Sequence, residues 1–353
     1  MTRSSVAHRI LLAVVAFTVA CGYDGTSPYS QTPPPPPDGA PSSTTPRDGL
    51  WTASGSDPAL LRFGATQLAA SGTVAAGTTV TTASASLRTL NAIAFDDAGT
   101  MWVASQNDSL LLGFAAGRLE TTNVAIATHV IAPANGSLAA PTGLAFDRQK
   151  RLWVANSTAG TLVRYEPVQL STGGRQAPSV TLTGIGRPTA LAFDASGALW
   201  VSDGNANRIA KYGAAKLAAS GAPAPDVVIS GGASTLQAPA GLAFDADGRL
   251  WVANGERRDV VAFGAAQLVA GGSVAPAIVL VPSNRSVSVP TGLAFDDAGA
   301  LWVVSGDGLL ARYDRLQLTA SGEPSASASL RVDAHVMLWS LAFWPKVRGL
   351  PIN

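Results

Sequence analysis

One short segment recurs along the chain at nearly constant spacing, and this recurrence limits the possible folds more than any other feature. The segment is IAFD in the first copy and LAFD in the next four, and a tryptophan stands nine residues after the start of each copy. A repeat of about 50 residues that contains several short strands is typical of one blade of a β-propeller. The copies are 47 or 51 residues apart and begin at Ile93, Leu144, Leu191, Leu242 and Leu293.

Each repeat carries the same internal landmarks. The aspartate that ends the segment belongs to a D-x-x-G-type turn, and the tryptophan lies in a second apolar strand. An aromatic residue, a leucine and then a glycine or asparagine follow, and these last two residue types predict the left-handed C-cap of a short helix. We therefore predict that each blade is strand, turn, strand, turn, strand, short helix, strand. The predicted caps are Gly72, Asn123, Gly174, Gly221, Gly272 and Gly322.

The two ends of the repeat region complement each other. SLAFWP near the C-terminus holds a sixth copy of the first strand with no tryptophan strand after it, whereas DGLW at residues 48–51 is a tryptophan strand with no LAFD before it. A blade shared between the N- and C-terminal strands closes the ring and removes two exposed sheet edges. The sequence therefore predicts an all-β fold over residues 48–353, a six-bladed β-propeller of four-stranded blades, each with a short helical turn.

The N-terminal region has a different composition. Arg3 and Arg9 precede an uncharged apolar stretch, ILLAVVAFTVA. Its eleven residues would form a helix of about 16 Å, which is too short to cross a bilayer. This pattern predicts a signal peptide over residues 1–20. Ala20 followed by Cys21, the one cysteine of the chain, resembles a bacterial lipobox, which implies lipidation of Cys21 and a membrane as partner. An ordinary secretory signal with an incidental cysteine is the alternative.

Residues 21–47 form a predicted tether behind this cysteine. The segment is composed mainly of Pro, Ser, Thr, Gly and Asp and has no apolar period, so it cannot bury a core. We expect a domain in the bacterial cell envelope, anchored by lipid at a membrane and facing the periplasm or the exterior. A secreted protein is the alternative localisation.

Composition excludes several functions. The net charge is +1 and 13% of residues are charged, without a basic cluster, so no nucleic-acid partner is expected. A single cysteine permits no intramolecular disulfide. The sequence also lacks a Walker loop, an HExxH motif and a GxSxG motif, which excludes the corresponding nucleotide-binding, zinc-protease and hydrolase sites.

The repeat also resembles a known family. The stretch PTALAFDASGALWVSDGNANRIAKY, residues 188–212, is similar to an NHL repeat, and the similarity extends over residues 50–345. Asp203 and Arg208 of the NHL pattern occur together only in this copy, since asparagine or serine replaces the aspartate elsewhere. The resemblance implies a propeller that is used mainly as a binding platform.

Two families of propeller enzymes are more distantly similar. The resemblance to virginiamycin B lyases implies histidines beside a metal, but His129 and His335 are predicted to lie in outermost strands. The resemblance to gluconolactonases implies metal ligands two residues before the apolar residue of each first strand, where this chain carries no carboxylate. We therefore predict no metal, no cofactor and no catalytic residue. The positions in question are Asn91, Thr142, Thr189, Ala240, Thr291 and Trp339.

A polar set is predicted to lie at one mouth of the ring, where it either closes the blade ends or binds a ligand or partner. We predict a non-catalytic binding or scaffolding module for an unidentified protein, small molecule or glycan. The alternative is a lactonase- or lyase-like enzyme acting on a small molecule or polysaccharide. The predicted site residues are Asn91, Thr142, Thr189, Thr291 and Trp339, with Asn156, Asp203 and Asn254 from the far ends of second strands.

Overall fold

The computed structural model describes residues 48–345, apart from residues 57–58, 83–88, 232–234, 284–285 and 333–335. Within these residues the chain forms six sheets whose innermost strands pack against one another in a closed ring. The predicted six-bladed β-propeller is confirmed. Cys21, the predicted signal peptide and tether, and His335 lie outside the described residues. No helix in the described part of the chain is long and apolar enough to cross a bilayer.

Each blade has an innermost, a second, a third and an outer strand, joined as antiparallel neighbours. We number the blades one to six in the chain order of their second strands. The innermost strands of blades two to six, followed by that of blade one, are Leu90–Phe95, Pro141–Phe146, Pro188–Phe193, Pro239–Phe244, Pro290–Phe295 and Leu338–Trp344. The second strands of blades one to six are Gly49–Ser54, Met101–Ser105, Leu152–Asn156, Leu199–Asp203, Leu250–Asn254 and Leu301–Ser305.

The outer half of each blade follows the predicted order of strand, short helix, strand. The third strands are Ala59–Phe63, Leu110–Phe114, Thr161–Tyr165, Arg208–Tyr212, Asp259–Phe263 and Leu309–Tyr313. The short helices are Ala65–Leu68, Ala116–Arg118, Pro167–Thr172, Ala214–Leu217, Ala265–Ala270 and Arg315–Leu318. The outer strands are Thr78–Thr82, His129–Pro133, Val180–Leu182, Val227–Ile229, Ile278–Leu280 and Ala328–Arg331.

Blade one is assembled from both ends of the chain, as the sequence predicts. Its innermost strand, Leu338–Trp344, pairs antiparallel with Gly49–Ser54, so that Trp51 lies opposite Ala342. The rest of the blade is N-terminal. This pairing closes the ring and satisfies the backbone of two strands that would otherwise be edges.

The repeated tryptophan and aspartate residues form the core between blades. Each tryptophan of blades two to six is buried, and its indole Nε1 donates to the turn aspartate of the same blade. In blade five this bond runs from Trp251 to Asp245 at 2.8 Å. The indole of Trp251 also packs edge-to-face against Phe295 of the next blade, with ring centroids 6.2 Å apart. The repeated segment therefore joins the strands of one blade and also joins neighbouring blades.

One prediction about the helices is wrong. The six glycine or asparagine residues predicted as helix C-caps lie beyond the helix ends, and the cap of Pro167–Thr172, for example, is Gly173. These six residues instead pair in parallel with the outer strand of the preceding blade, as Gly72 does with Leu330. We call the paired segments straps. A strap covers the outer edge of each sheet. The regular spacing of these glycine or asparagine residues therefore marks a strand pairing and not a helix end.

Candidate functional site

The ring encloses a cavity of about 360 Å³ at its centre, which is within the size range of small-molecule sites. Its wall is formed by the innermost strands of all six blades. The fourth residues of these strands give it an apolar belt whose side chains are only 5–7% exposed. The belt consists of Ile93, Leu144, Leu191, Leu242, Leu293 and Leu341.

The second residues of the innermost strands form a ring that lines this cavity near its mouth. We call it the inner ring. The structure brings Asn91, Thr142, Thr189, Thr291 and Trp339 together there, with Ala240 at the sixth position.

The three threonines of the inner ring connect neighbouring blades by hydrogen bonds. Each hydroxyl donates to the carbonyl of the first residue of the next innermost strand: Thr142 to Pro188 at 3.0 Å, Thr189 to Pro239 at 2.9 Å and Thr291 to Leu338 at 2.8 Å. A hydroxyl has one hydrogen to donate and two lone pairs to accept with. Because the hydrogens are used between blades, these side chains offer only acceptor lone pairs to a molecule in the cavity.

Asn91 is the amide of the inner ring and is 9% exposed. Its Nδ2 donates to Oε1 of Gln106 at 2.8 Å, whereas its Oδ1 is buried and accepts no hydrogen bond from the described residues. Gln106 directly follows the second strand of blade two and also lines the cavity. Because this oxygen is buried, it is not exposed to the cavity, and its missing hydrogen bond is a cost to the fold.

Trp339 forms an apolar side of the mouth. Its side chain is 36% exposed and lies against Gly55, where an added Cβ would be 2.0 Å from the indole Nε1. Glycine is therefore required at position 55 for the indole to lie there. Met337 and Val289, which precede the innermost strands of blades one and six, are exposed as well. We call these three exposed residues, Trp339, Met337 and Val289, the apolar rim.

Arg187 is the only charged residue that lines the cavity among the described residues. It precedes the innermost strand of blade four, and its backbone N–H donates to Oδ1 of Asp203 at 3.2 Å. Within the part of the chain that the structure describes, its exposed guanidinium has no ion-pair or hydrogen-bond partner. The described part of the mouth thus carries one positive charge without a paired carboxylate.

Three of the predicted site residues are not brought into the cavity wall. Asn156, Asp203 and Asn254 are at most 2% exposed at the ends of second strands. Asn254 Oδ1 accepts from Gln237 N–H at 2.7 Å, and its Nδ2 donates to the carbonyl of Thr235 and to Asp259. Asn156 and Asp203 likewise bond nearby backbone and side-chain groups. In this structure they hold loops in place beside the mouth.

The sequence interpretation missed Arg187 and Gln106, although a comparison of the repeats shows that both differ from the residues at the same position in other blades. At the position of Arg187 the other blades have uncharged side chains, and at the position of Gln106 four of the six blades have glycine. A residue that departs from an otherwise uniform repeat position, as Trp339 also does, is a candidate for a role beyond folding. The residues equivalent to Arg187 are Thr89, Ala140, Ala238, Val289 and Met337, and those equivalent to Gln106 are Gly55, Ser157, Gly204, Gly255 and Gly306.

The donor set at the mouth is a poor one for a metal ion. No group of three or more His, Cys, Asp or Glu side chains that could hold a metal occurs among the described residues. The inner ring offers neutral oxygens, whereas divalent calcium and magnesium sites use carboxylates. His129 lies in an outer strand, as predicted, and stacks on Trp102 at 6.0 Å between ring centroids.

No protein-family model matches the sequence, and no curated protein does. Solved structures are similar in fold. A protein of unknown function from Bacteroides caccae is 13% identical with a TM-score of 0.58, and the match covers 84% of this chain and 98% of that one. A structure of a nidogen/laminin complex is 14% identical with a TM-score of 0.56, and the match covers 83% of this chain and 96% of that one. Virginiamycin B lyase from Staphylococcus aureus is 12% identical with a TM-score of 0.45, and the match covers 71% of this chain and 69% of that one. The predicted distant similarity to other propellers is confirmed, and identities this low concern the fold alone.

Proposed function

We propose that this chain is a lipid-anchored propeller of the bacterial envelope that binds a ligand at the mouth of its channel and performs no metal-dependent catalysis. The observation that carries the proposal is the chemistry of the mouth. It combines an apolar rim, a single unpaired cation at Arg187 and a ring of neutral side chains, and no carboxylate of the described residues lines it.

The inner ring supports binding over hydrolysis or elimination. A general acid or base must be a titratable group within reach of the substrate, and among the described residues the lining offers only the arginine, which stays protonated. The threonine hydroxyls are already used between blades. A rigid, pre-formed cavity with few polar groups is suited to holding a small molecule in one orientation.

The anchoring part of the proposal rests on the sequence. A short apolar core ends at Ala20–Cys21, and a segment rich in proline separates this cysteine from the propeller. Such a spacer lets a domain remain attached to a membrane surface while its channel stays accessible.

Calorimetry of the purified chain with calcium, magnesium, manganese and zinc, beside a lactone hydrolysis assay, tests the absence of metal catalysis. We expect no stoichiometric metal site tighter than about 10 μM and no metal-stimulated turnover. Turnover that is lost in the Asn91→Ala variant would support the enzyme alternative, because Asn91 is the inner-ring residue with an unpaired acceptor. Thr172→Val, on the short helix Pro167–Thr172 in the outer half of blade three, is the control.

A further inference from the structure

The mouth of the channel has different chemistry on its opposite sides. Arg187 belongs to blade four, and Trp339 and Met337 belong to blade one, which is opposite blade four in a ring of six. A molecule that uses both sides must therefore span the mouth with an anionic end and an apolar end.

The anionic end is set by the arginine. An exposed guanidinium without a partner attracts a carboxylate, which it can bind through two parallel hydrogen bonds. Among the described residues no second cation lines the cavity, and the single charge of the guanidinium matches the single negative charge of a carboxylate.

The middle of the ligand must supply a hydrogen-bond donor. The threonine hydroxyls of the inner ring have only lone pairs left. An amide N–H meets the requirement with one donor.

We propose that the ligand of this site is an N-acylated α-amino acid with an apolar side chain, either as a free small molecule or as the C-terminal end of a short peptide. Its carboxylate binds Arg187, its amide N–H faces the acceptors of the inner ring, and its side chain packs on Trp339 and the apolar rim. This inference rests on the proposed function, since it names the class of molecule held at the same mouth.

The test compares two nearly isosteric probes, N-acetyl-L-phenylalanine and N-acetyl-L-phenylalaninamide, by calorimetry on the full chain. The first carries the carboxylate and the second replaces it with a neutral amide. We expect the acid to bind about tenfold or more tightly than the amide, which is the effect of one charged hydrogen-bonded pair. A tripeptide ending in phenylalanine, tested in the same way, distinguishes a free acyl amino acid from a peptide end.

Variants separate the two ends of the ligand. Arg187→Gln is expected to remove the preference for the acid while leaving the affinity for the amide unchanged, and Trp339→Ala to weaken both probes by the same factor. Arg118→Gln, on the exposed outer side of blade two, should change neither. All three side chains are exposed, and circular dichroism verifies that each variant is folded.

The inference is overturned if acid and amide bind equally, if Arg187→Gln retains the preference, or if the acid shows no saturable binding up to about 10 mM. Binding of the neutral amide alone, lost in Trp339→Ala, would refute the carboxylate assignment and leave the proposed binding function standing. A tight metal site with turnover would instead refute the proposed function.

Discussion

The hydroxyl of Thr291 in blade six donates a 2.8 Å hydrogen bond to the carbonyl of Leu338, the first residue of the C-terminal strand that completes blade one. The bond holds to blade six the strand whose pairing with Gly49–Ser54 closes the ring, and we call it the closure bond. Both residues are buried, so the bond is shielded from water.

Replacing this threonine tests the contribution of the closure bond. Thr291→Val keeps the shape of the side chain but leaves the Leu338 carbonyl without its donor, and we expect a loss of about 1–2 kcal/mol in the free energy of unfolding. Urea denaturation followed by tryptophan fluorescence measures it. The matched control is Thr172→Val, whose hydroxyl bonds an exposed helical carbonyl and should contribute less than about 0.5 kcal/mol. Equal effects of the two substitutions would contradict a special role for the closure bond.

The turn aspartates are expected to be important for stability. Asp245 is 6% exposed and accepts from Trp251 Nε1 and from Nε of Arg249, the latter at 2.6 Å. Asp245→Asn removes the charge that satisfies these donors, and we expect a loss of about 2–4 kcal/mol in the free energy of unfolding. Asp247→Asn is the control because Asp247 is more than half exposed and pairs with the same arginine, so its loss should be under about 1 kcal/mol. Urea denaturation of both variants distinguishes the two effects.

The fold was predictable from the sequence because the same strand pattern recurs in several copies. The LAFD and tryptophan spacing identifies the inner two strands of five blades, and the unmatched strands at the two ends identify the shared sixth. The straps could not be predicted, since a parallel pairing of a few residues between blades has no periodicity of its own. Gly72 and its equivalents therefore resembled helix caps.

The site was only half predictable. The register of the repeat places Asn91, the threonines and Trp339 on the inner ring, which a residue count can establish. That Asn254 and its equivalents turn into neighbouring loops depends on partners such as Gln237, which lies in the loop before the innermost strand and not in the LAFD motif. Arg187 precedes the innermost strand of blade four and lies outside the LAFD motif from which the site was predicted.

Burial raises the pKa of the Tyr313 hydroxyl to about 12. Burial also raises the pKa of Tyr165 and of Tyr212. Because the folded-state pKa of Tyr313 is above the unfolded value of 10.0, the stability that depends on its protonated form is fully present below pH 10 and is lost as the pH rises through about 12. Absorbance at the tyrosinate band as a function of pH should show a late component that loses the amplitude of one tyrosine in Tyr313→Phe. Titration of this component with an ordinary midpoint would contradict burial of the side chain.

The membrane anchor is tested by a single substitution. Changing Cys21 to Ser removes the only thiol of the chain, and we expect the protein to move from the detergent phase to the aqueous phase in a phase-partition assay of expressing bacterial cells. Cleavage of the signal at another position, found by mass spectrometry of the unmodified chain, would indicate ordinary secretion. Ser42→Ala, within the predicted tether, serves as the control and should leave the partition unchanged.

The straps also determine how the ring can come apart. The outermost hydrogen-bonded segment of each sheet is the strap that comes from the following blade. For blade six this strap is Gly72–Thr73 of blade one. Opening one blade therefore strips an edge from its neighbour, and the cost of local opening is shared by two blades. We expect amide hydrogen exchange to lose protection in adjacent blades together. For the same reason, a gene duplication or deletion must add or remove a whole number of repeat lengths, because any other change would leave a sheet edge unpaired. This holds wherever in the repeat the break occurs.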